Sequence, residues 1–449
     1  MSIAENVGGM SAYLNKARTQ KGYVEFKGNV EQSLAKIPGV GDRLVRVLKK
    51  SKDSIKQLFV PGMMFEDMGI TYIGPIDGHN IPQMLEIFQR AKQLDEPIII
   101  HVVTKKGKGY LPAEQNPAKF HGVNPFNVKT GEMKSKASGP SNTDIFADTI
   151  LEAAKEDPAI TAVTAAMPDG TGLQKFGEEF PDRFYDVGIE EEHAVTFCAG
   201  MASRGLKPVF AVYSTFLQRG FDQILHDTAI GNYPVLFALD RSGLVGADGE
   251  THQGIFDIPY LSMIPNMAVL APVNGRELRE MLLYVLKHPK CPTAVKYSRG
   301  AAETLYEEQF EDIAWGEGQI LKEGKDAVIL SVGNMLPEAV QAIESLEKQG
   351  YKIGLVNPRF IKPMDKELLD QLAETYPLIV TLEEGILNGG YGSMVMQYLV
   401  QKGYKGNIRN IGIEDQFVEH GSISELRSML KIDGEHIAAS MKQWLENRK

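Results

Sequence analysis

The feature that most constrains this chain is an alternation. Between residues 160 and 413, short apolar runs rich in β-formers recur, each followed by a segment with helical spacing. The runs lie at 160–166, 208–213, 234–239, 267–271 and 293–297, and again at 327–332, 353–356, 378–382 and 408–413. Apolar runs without polar interruption read as strands buried on both faces, and the intervening helices supply the crossovers that parallel strands need. The predicted class is therefore α/β, with parallel sheets covered by helices.

At 449 residues the chain is too long for one ordinary domain. A polar Gly/Pro/Ser-rich segment at 134–142 separates two patterns, and an acidic stretch at 303–317 separates the two sets of strand runs. The predicted division is residues 1–133, a linker at 134–142, one α/β domain at 143–305 and another at 318–449. The opening region predicts one buried strand at 97–103 after a helix over 81–94. With so little sheet it reads as part of a domain.

Several function classes are disfavoured at once. The 48 Lys and Arg against 58 Asp and Glu give a formal net charge of −10, which argues against nucleic acid as the main partner. Two cysteines, Cys198 and Cys291, exclude a disulfide scaffold or a multi-cysteine metal site. No apolar run approaches the roughly 20 residues that span a bilayer, and the first residues lack a signal-peptide pattern. No membrane partner is expected, and the expected location is cytoplasmic.

Four segments place chemistry-bearing side chains at strand ends, where open α/β sheets bind ligands. Arg183-Phe-Tyr-Asp-Val-Gly-Ile-Glu-Glu-Glu-His193 runs from a strand into a helix opened by three glutamates. Acidic residues favour a helix start, so solvated capping is the ordinary reading; the functional one turns a glutamate inward. Val212-Tyr-Ser-Thr-Phe-Leu-Gln-Arg-Gly220 offers an aromatic pair and an arginine, or else a core Phe216 and a solvated Arg219. Leu239-Asp-Arg-Ser-Gly-Leu-Val-Gly-Ala-Asp-Gly-Glu-Thr-His-Gln-Gly254 is a long glycine-rich loop holding Asp248 and His252. Tyr297-Ser-Arg-Gly300 ends a further strand with an arginine, or is a plain surface turn. Two weaker signals are a helix-hairpin-helix-like Ile37-Pro-Gly-Val-Gly-Asp42, within a basic stretch of 11 Lys and Arg against 5 Asp and Glu over residues 1–60, and the glycines of Lys105-Lys-Gly-Lys-Gly-Tyr110.

Together these motifs resemble the thiamine-diphosphate enzymes of the transketolase superfamily, specifically the 1-deoxy-D-xylulose-5-phosphate synthases. The resemblance rests on Tyr213-Ser-Thr-Phe-Leu-Gln-Arg219, Gly246-Ala-Asp-Gly-Glu-Thr-His-Gln-Gly254, and Lys106-Gly-Lys-Gly-Tyr110 with Phe120-His121, and it extends over the whole chain. It implies tandem thiamine-diphosphate-binding parallel-sheet domains, one for the diphosphate and one for the aminopyrimidine, plus a C-terminal α/β domain of a homodimer. It implies the decarboxylating condensation of pyruvate with glyceraldehyde 3-phosphate, with thiamine diphosphate and Mg²⁺.

By that resemblance Glu191 is the carboxyl group that exchanges a proton with the aminopyrimidine, Phe216 stacks on it, and Tyr110 lies near the cofactor. A buried carboxyl against an apolar ring is expected to hold its proton toward neutral pH. Arg219 and Arg299 are the implied clamp for the sugar phosphate, with Tyr213, Asp248 and His252 in the substrate site. His252 is the proton-transfer candidate, and His121 a second. The chain departs from the family pattern in two places: Glu192 stands where glutamine is usual, and Met1 falls deep inside the family's first domain, after its Gly-Asp-Gly metal motif. The metal site then retains only the Met1 backbone carbonyl. The expectation is a first domain lacking its amino-terminal part, with weak activity or none unless another chain supplies that part. The alternatives are a subunit of a split transketolase-like or 2-oxo-acid dehydrogenase-like enzyme, and a non-catalytic fragment that dimerises or binds nucleic acid.

Overall fold

A computed structural model describes residues 65–447 except 67, 118, 124 and 134–138. The Met1 carbonyl, the basic opening 60 residues and the hairpin-like segment at 37–42 lie outside the described residues. Two compact units divide near residue 135.

In the smaller unit, β1 (Thr71–Asp77) and β2 (Ile98–Val103) pair in parallel, joined by the helix Ile81–Ala91. Asn80 caps that helix by accepting from the Gln83 N–H. The strand expected at 97–103 is thus present with one edge paired, but it is half-buried rather than buried. The helix also stops three residues short of expectation, at Ala91.

The larger unit holds two sheets. The first is built from β3 (Ile160–Thr164), β4 (Phe184–Asp186), β5 (Lys207–Tyr213), β6 (Leu236–Asp240), β7 (Ala268–Leu270) and β8 (Thr293–Lys296). The second comprises β9 (Gln319–Lys322), β10 (Ala327–Ser331), β11 (Ile353–Asn357), β13 (Leu378–Ile386) and β14 (Asn407–Ile413), with β12 (Phe360–Lys362) falling between β11 and β13 in the chain. The first sheet runs β12-β7-β8-β6-β5-β3-β4, parallel except for β12, and the second β14-β13-β10-β11-β9, parallel except for β9.

The apolar runs became strands because both faces are covered: every residue of β3, β6, β8, β10 and β11 is buried. The helix Asn142–Glu156 starts at a capping box between Ser141 and Asp144 and buries Phe146 and Ile150 against the first sheet. The expected linker is therefore folded at its end: Ser141 bridges to Ala301, and the Asn142 N–H donates to Gly300 O.

The predicted break between 305 and 318 does not isolate the C-terminal layer. β12 crosses to the first sheet, pairing Phe360 with Leu270, and Phe360 enters its core beside Leu278 and Met281. In return Leu244 and Ile255 enter the core of the second sheet beside Ile329 and Val380. The crossing chain is fixed by a buried network: Arg359 Nε donates to Glu277 Oε1 at 2.8 Å, both side chains being 2% exposed, and Arg359 also donates to Gln319 Oε1.

Candidate active site

The carboxyl ends of β4, β5, β6 and β8 carry the side chains singled out in the sequence. Glu190 occupies the N-cap position of the helix Glu191–Ser203 without a side-chain capping bond, and Glu191 opens the helix. Glu190 and Glu192 are exposed as ordinary capping would have them, but Glu191 is 2% exposed. Its Oε1 accepts from Arg219 Nη1 at 2.8 Å, and its Oε2 is buried without a hydrogen-bond partner. Such an atom costs free energy unless a ligand group meets it. Gly220 packs tightly against the same helix, since a Cβ there would lie 3.0 Å from Val195 Cγ2. The surroundings expected from the sequence were apolar; the structure adds a guanidinium.

β5 ends at Tyr213, and the next turn presents Phe216, half-buried and stacked on Tyr213 at 5.8 Å between centroids. Arg219 lies 5.0 Å from the Phe216 ring and His252 meets its edge at 5.3 Å. Glu191, Arg219, Phe216, Tyr213 and His252 thus form one connected constellation. Burial chiefly, and the Arg241 and Arg299 charges, push the His252 imidazole below its usual value, against the opposing pull of Asp248. Its neutral form is favoured, as a proton acceptor requires.

The two arginines expected to act as a pair have different partners. Arg219 holds Glu191, whereas Arg299 Nη1 donates to Asp248 Oδ2 at 2.9 Å, and Arg241 Nη1 donates to the same oxygen at 2.7 Å. The pair around Asp248 is Arg241 and Arg299. Arg241 also lies over the Tyr213 ring at 4.0 Å and adopts a left-handed backbone conformation at φ 59°. The sequence signal for Arg241 is a charged residue directly after a buried strand and before a glycine-rich loop.

In the smaller unit Tyr110 packs on Phe120 and Phe126 and donates its hydroxyl to Val128 O at 2.8 Å. His121 is exposed and lies 2.8 Å from Lys106 Nζ through Nδ1.

A cavity of about 220 Å³ lies between the two sheet layers, reached by Lys296, Arg299, Asn334, Glu384 and Arg427. Glu191, Phe216, Tyr213 and His252 do not line it, whereas Arg299 of the Asp248 cluster does.

Residues 138–304 match the family described as "Transketolase, pyrimidine binding domain", residues 316–437 the "Transketolase, C-terminal domain", and residues 1–104 the family "1-deoxy-D-xylulose-5-phosphate synthase". Fold and site define a thiamine-diphosphate-dependent transferase of the transketolase type. A 1-deoxy-D-xylulose-5-phosphate synthase from Lachnoclostridium phytofermentans is 52% identical over 438 residues, covering 97% of this chain and 70% of that one. One from Carboxydothermus hydrogenoformans is 47% identical, covering 99% and 71%. The chain belongs to the 1-deoxy-D-xylulose-5-phosphate synthase family. Among solved structures, "Split gene transketolase, inactive beta4 tetramer" aligns at a TM-score of 0.62 and 26% identity, over 69% of this chain and 99% of that one. A transketolase from Pichia stipitis solved with sedoheptulose 7-phosphate shares the fold at a TM-score of 0.58 and 18% identity, over 69% and 46%.

The family depends on thiamine diphosphate and Mg²⁺. The organic part of the cofactor fits the residues present: the unpartnered Glu191 Oε2 can meet a ring nitrogen, and Phe216 offers a face for stacking. For the metal, no group of three or more His, Cys, Asp or Glu side chains converges among the described residues. No helix among them is long and apolar enough to cross a membrane.

Proposed function

We propose that this chain performs the decarboxylating condensation of pyruvate with glyceraldehyde 3-phosphate, with Glu191 at its centre. The observation that carries this reading is a buried carboxyl with one oxygen fixed by Arg219 and the other left free, beside the half-buried ring of Phe216. Thiamine diphosphate supplies a thiazolium carbon acid whose deprotonation creates the nucleophile. Glu191 Oε2 holds or gives the proton exchanged with the aminopyrimidine, and Phe216 sets the plane of that ring. His252, kept neutral, accepts and returns protons on the substrate side. Arg241 and Arg299 receive the acceptor phosphate, in place of the Arg219–Arg299 pairing expected from sequence, and Tyr213 and Asp248 shape that pocket.

The proposed domains are residues 1–133 for the diphosphate, 143–305 for the pyrimidine and 318–449 as the C-terminal domain, in a cytoplasmic homodimer. Calorimetric titration with thiamine diphosphate and Mg²⁺, followed by assay of pyruvate with glyceraldehyde 3-phosphate, tests the reading. Binding and product formation support it; cofactor binding that is unchanged by Glu191→Ala and Phe216→Ala removes it.

A second reading, a subunit working with a separate chain, is favoured by the 99% coverage of the split-gene transketolase chain. Activity that appears only on mixing with a chain carrying a Gly-Asp-Gly metal motif distinguishes it.

A further inference from the structure

The loop at 241–254 carries Arg241, Asp248 and His252, yet much of what holds it belongs to the C-terminal layer. The Leu244 side chain is fully buried in the core of the second sheet, and the Leu244 N–H donates to Glu384 Oε2 at 2.9 Å. Glu384 sits on β13, is 3% exposed, and accepts from Arg427 Nε through Oε1 at 2.7 Å; Arg427 is held in turn by Glu338 at 2.9 Å. The contact is close enough to dictate the neighbouring residue, since a Cβ on Gly243 would lie 2.2 Å from Glu384 Oε2. The far end of the loop is fixed by Gln253, which accepts from the Val245 N–H and donates to Glu419 O. Between these anchors Arg299 Nη1 donates both to Val245 O and to Asp248 Oδ2. Glu384 therefore acts one residue away from a carbonyl that orients Arg299.

We propose that Glu384 is a positioning residue for the phosphate-bearing acceptor: by fixing the Leu244 backbone it holds the adjoining Val245 carbonyl that aims Arg299, beside Arg241, at the acceptor phosphate. The proposal rests on the reading of Arg241, Asp248 and Arg299 as the acceptor-phosphate site. Both of its oxygens accept from donors, so a neutral amide in its place would turn an N–H toward either Arg427 or Leu244. The C-terminal layer then sets the affinity for one substrate by holding a loop of the first sheet.

The test compares the full chain with Glu384→Gln and with Glu384→Asp, which keeps the charge beside Arg427 but withdraws oxygen from Leu244. Hydrogen exchange over residues 245–252 should accelerate about tenfold or more, while β6 and the helix Glu191–Ser203 remain protected. The dissociation constant for glyceraldehyde 3-phosphate should rise about tenfold, with affinity for thiamine diphosphate unchanged. Acceleration spread through the whole first sheet, or a loop and an acceptor affinity both unaltered, overturns the proposal. Arg241→Ala and Arg299→Ala separate the two failures. If these variants keep wild-type acceptor binding, the acceptor-site reading fails, and the proposal fails with it. If they lose binding while the Glu384 variants do not, the positioning role alone fails.

Discussion

Arg219 and Glu191, 28 residues apart in sequence, meet at 2.8 Å and leave one Glu191 oxygen buried and unsatisfied. The arginine fixes the rotamer of the carboxyl while the free oxygen remains for a ligand. This division of labour gives the first prediction. Glu191→Gln should lower turnover by a factor on the order of 10² to 10⁴, the usual contribution of a positioned proton-transfer group, while melting behaviour stays near wild type. Steady-state kinetics beside a thermal melt checks it, and turnover within a few-fold of wild type removes the assigned role.

Arg219→Ala tests the other half of the pair. The variant leaves a buried carboxyl with neither oxygen bonded, so unfolding free energy should fall by about 1–3 kcal/mol, toward the lower end because the Arg219 side chain is 46% exposed. Loss of thiamine-diphosphate affinity should accompany it, since Glu191 would no longer be aimed. A urea titration and a calorimetric titration read the two effects separately.

The parallel strands were legible because burial on both faces forces uninterrupted apolar runs, as in Leu236–Asp240 and Ala327–Ser331. β12 was not: it is three residues long, and its role arises from a chain crossing between sheets that no local pattern encodes. β1 was hidden by Gly74 and Pro75 inside its run. In the site, residue types at strand ends were readable but their pairings were not. Periodicity assigns every glutamate at a helix start to solvent, and only the fold reveals which one Arg219 reaches. Arg241 and Asp248 lie seven residues apart in a loop, yet their contact depends on a left-handed turn at Arg241.

The crossing chain makes a stability prediction. Arg359→Met removes the charged partner of buried Glu277 and leaves it only the Asn357 amide and the Val273 N–H, and breaking a buried ion pair from one side costs about 3–5 kcal/mol. Denaturant unfolding should show a loss of this size. The double variant Glu277→Leu with Arg359→Met should recover part of it, because both buried charges are then gone.

Burial raises the Asp240 carboxyl to about 6, against the opposing effects of Thr143 and Arg241, and raises Glu383 to about 7, against the Gly392 and Tyr391 N–H groups. Both groups bind their protons more tightly in the folded chain than in the unfolded one. Their contribution to stability is therefore complete at low pH and is lost as pH rises, from about pH 4 to 6 for Asp240 and on to about 7 for Glu383. For Asp240 the change amounts to about 2–3 kcal/mol. Asp240→Asn should flatten a melting-temperature profile only between about pH 4 and 6, whereas Glu383→Gln should flatten it from about pH 4.5 up to 7.

The cluster around Asp248 yields a prediction read on His252. Arg241 and Arg299 hold the His252 imidazole down, and Asp248 lifts it. Arg241→Gln or Arg299→Gln should therefore move the imidazole titration upward, and Asp248→Asn should move it further down, each readable by NMR. Because the folded imidazole binds its proton less tightly than the unfolded one, its contribution to stability is lost as pH falls below about 6.5. The same substitutions act on anions with the opposite logic. Asp248 Oδ2 occupies the point on which two guanidinium groups converge, so Asp248→Asn frees both for a ligand oxygen. Inorganic phosphate should then bind more tightly than to wild type, whereas Arg241→Gln and Arg299→Gln should each weaken it by roughly tenfold or more, the worth of one charge-assisted hydrogen bond. Phosphate affinity unchanged in all three variants places the acceptor phosphate elsewhere.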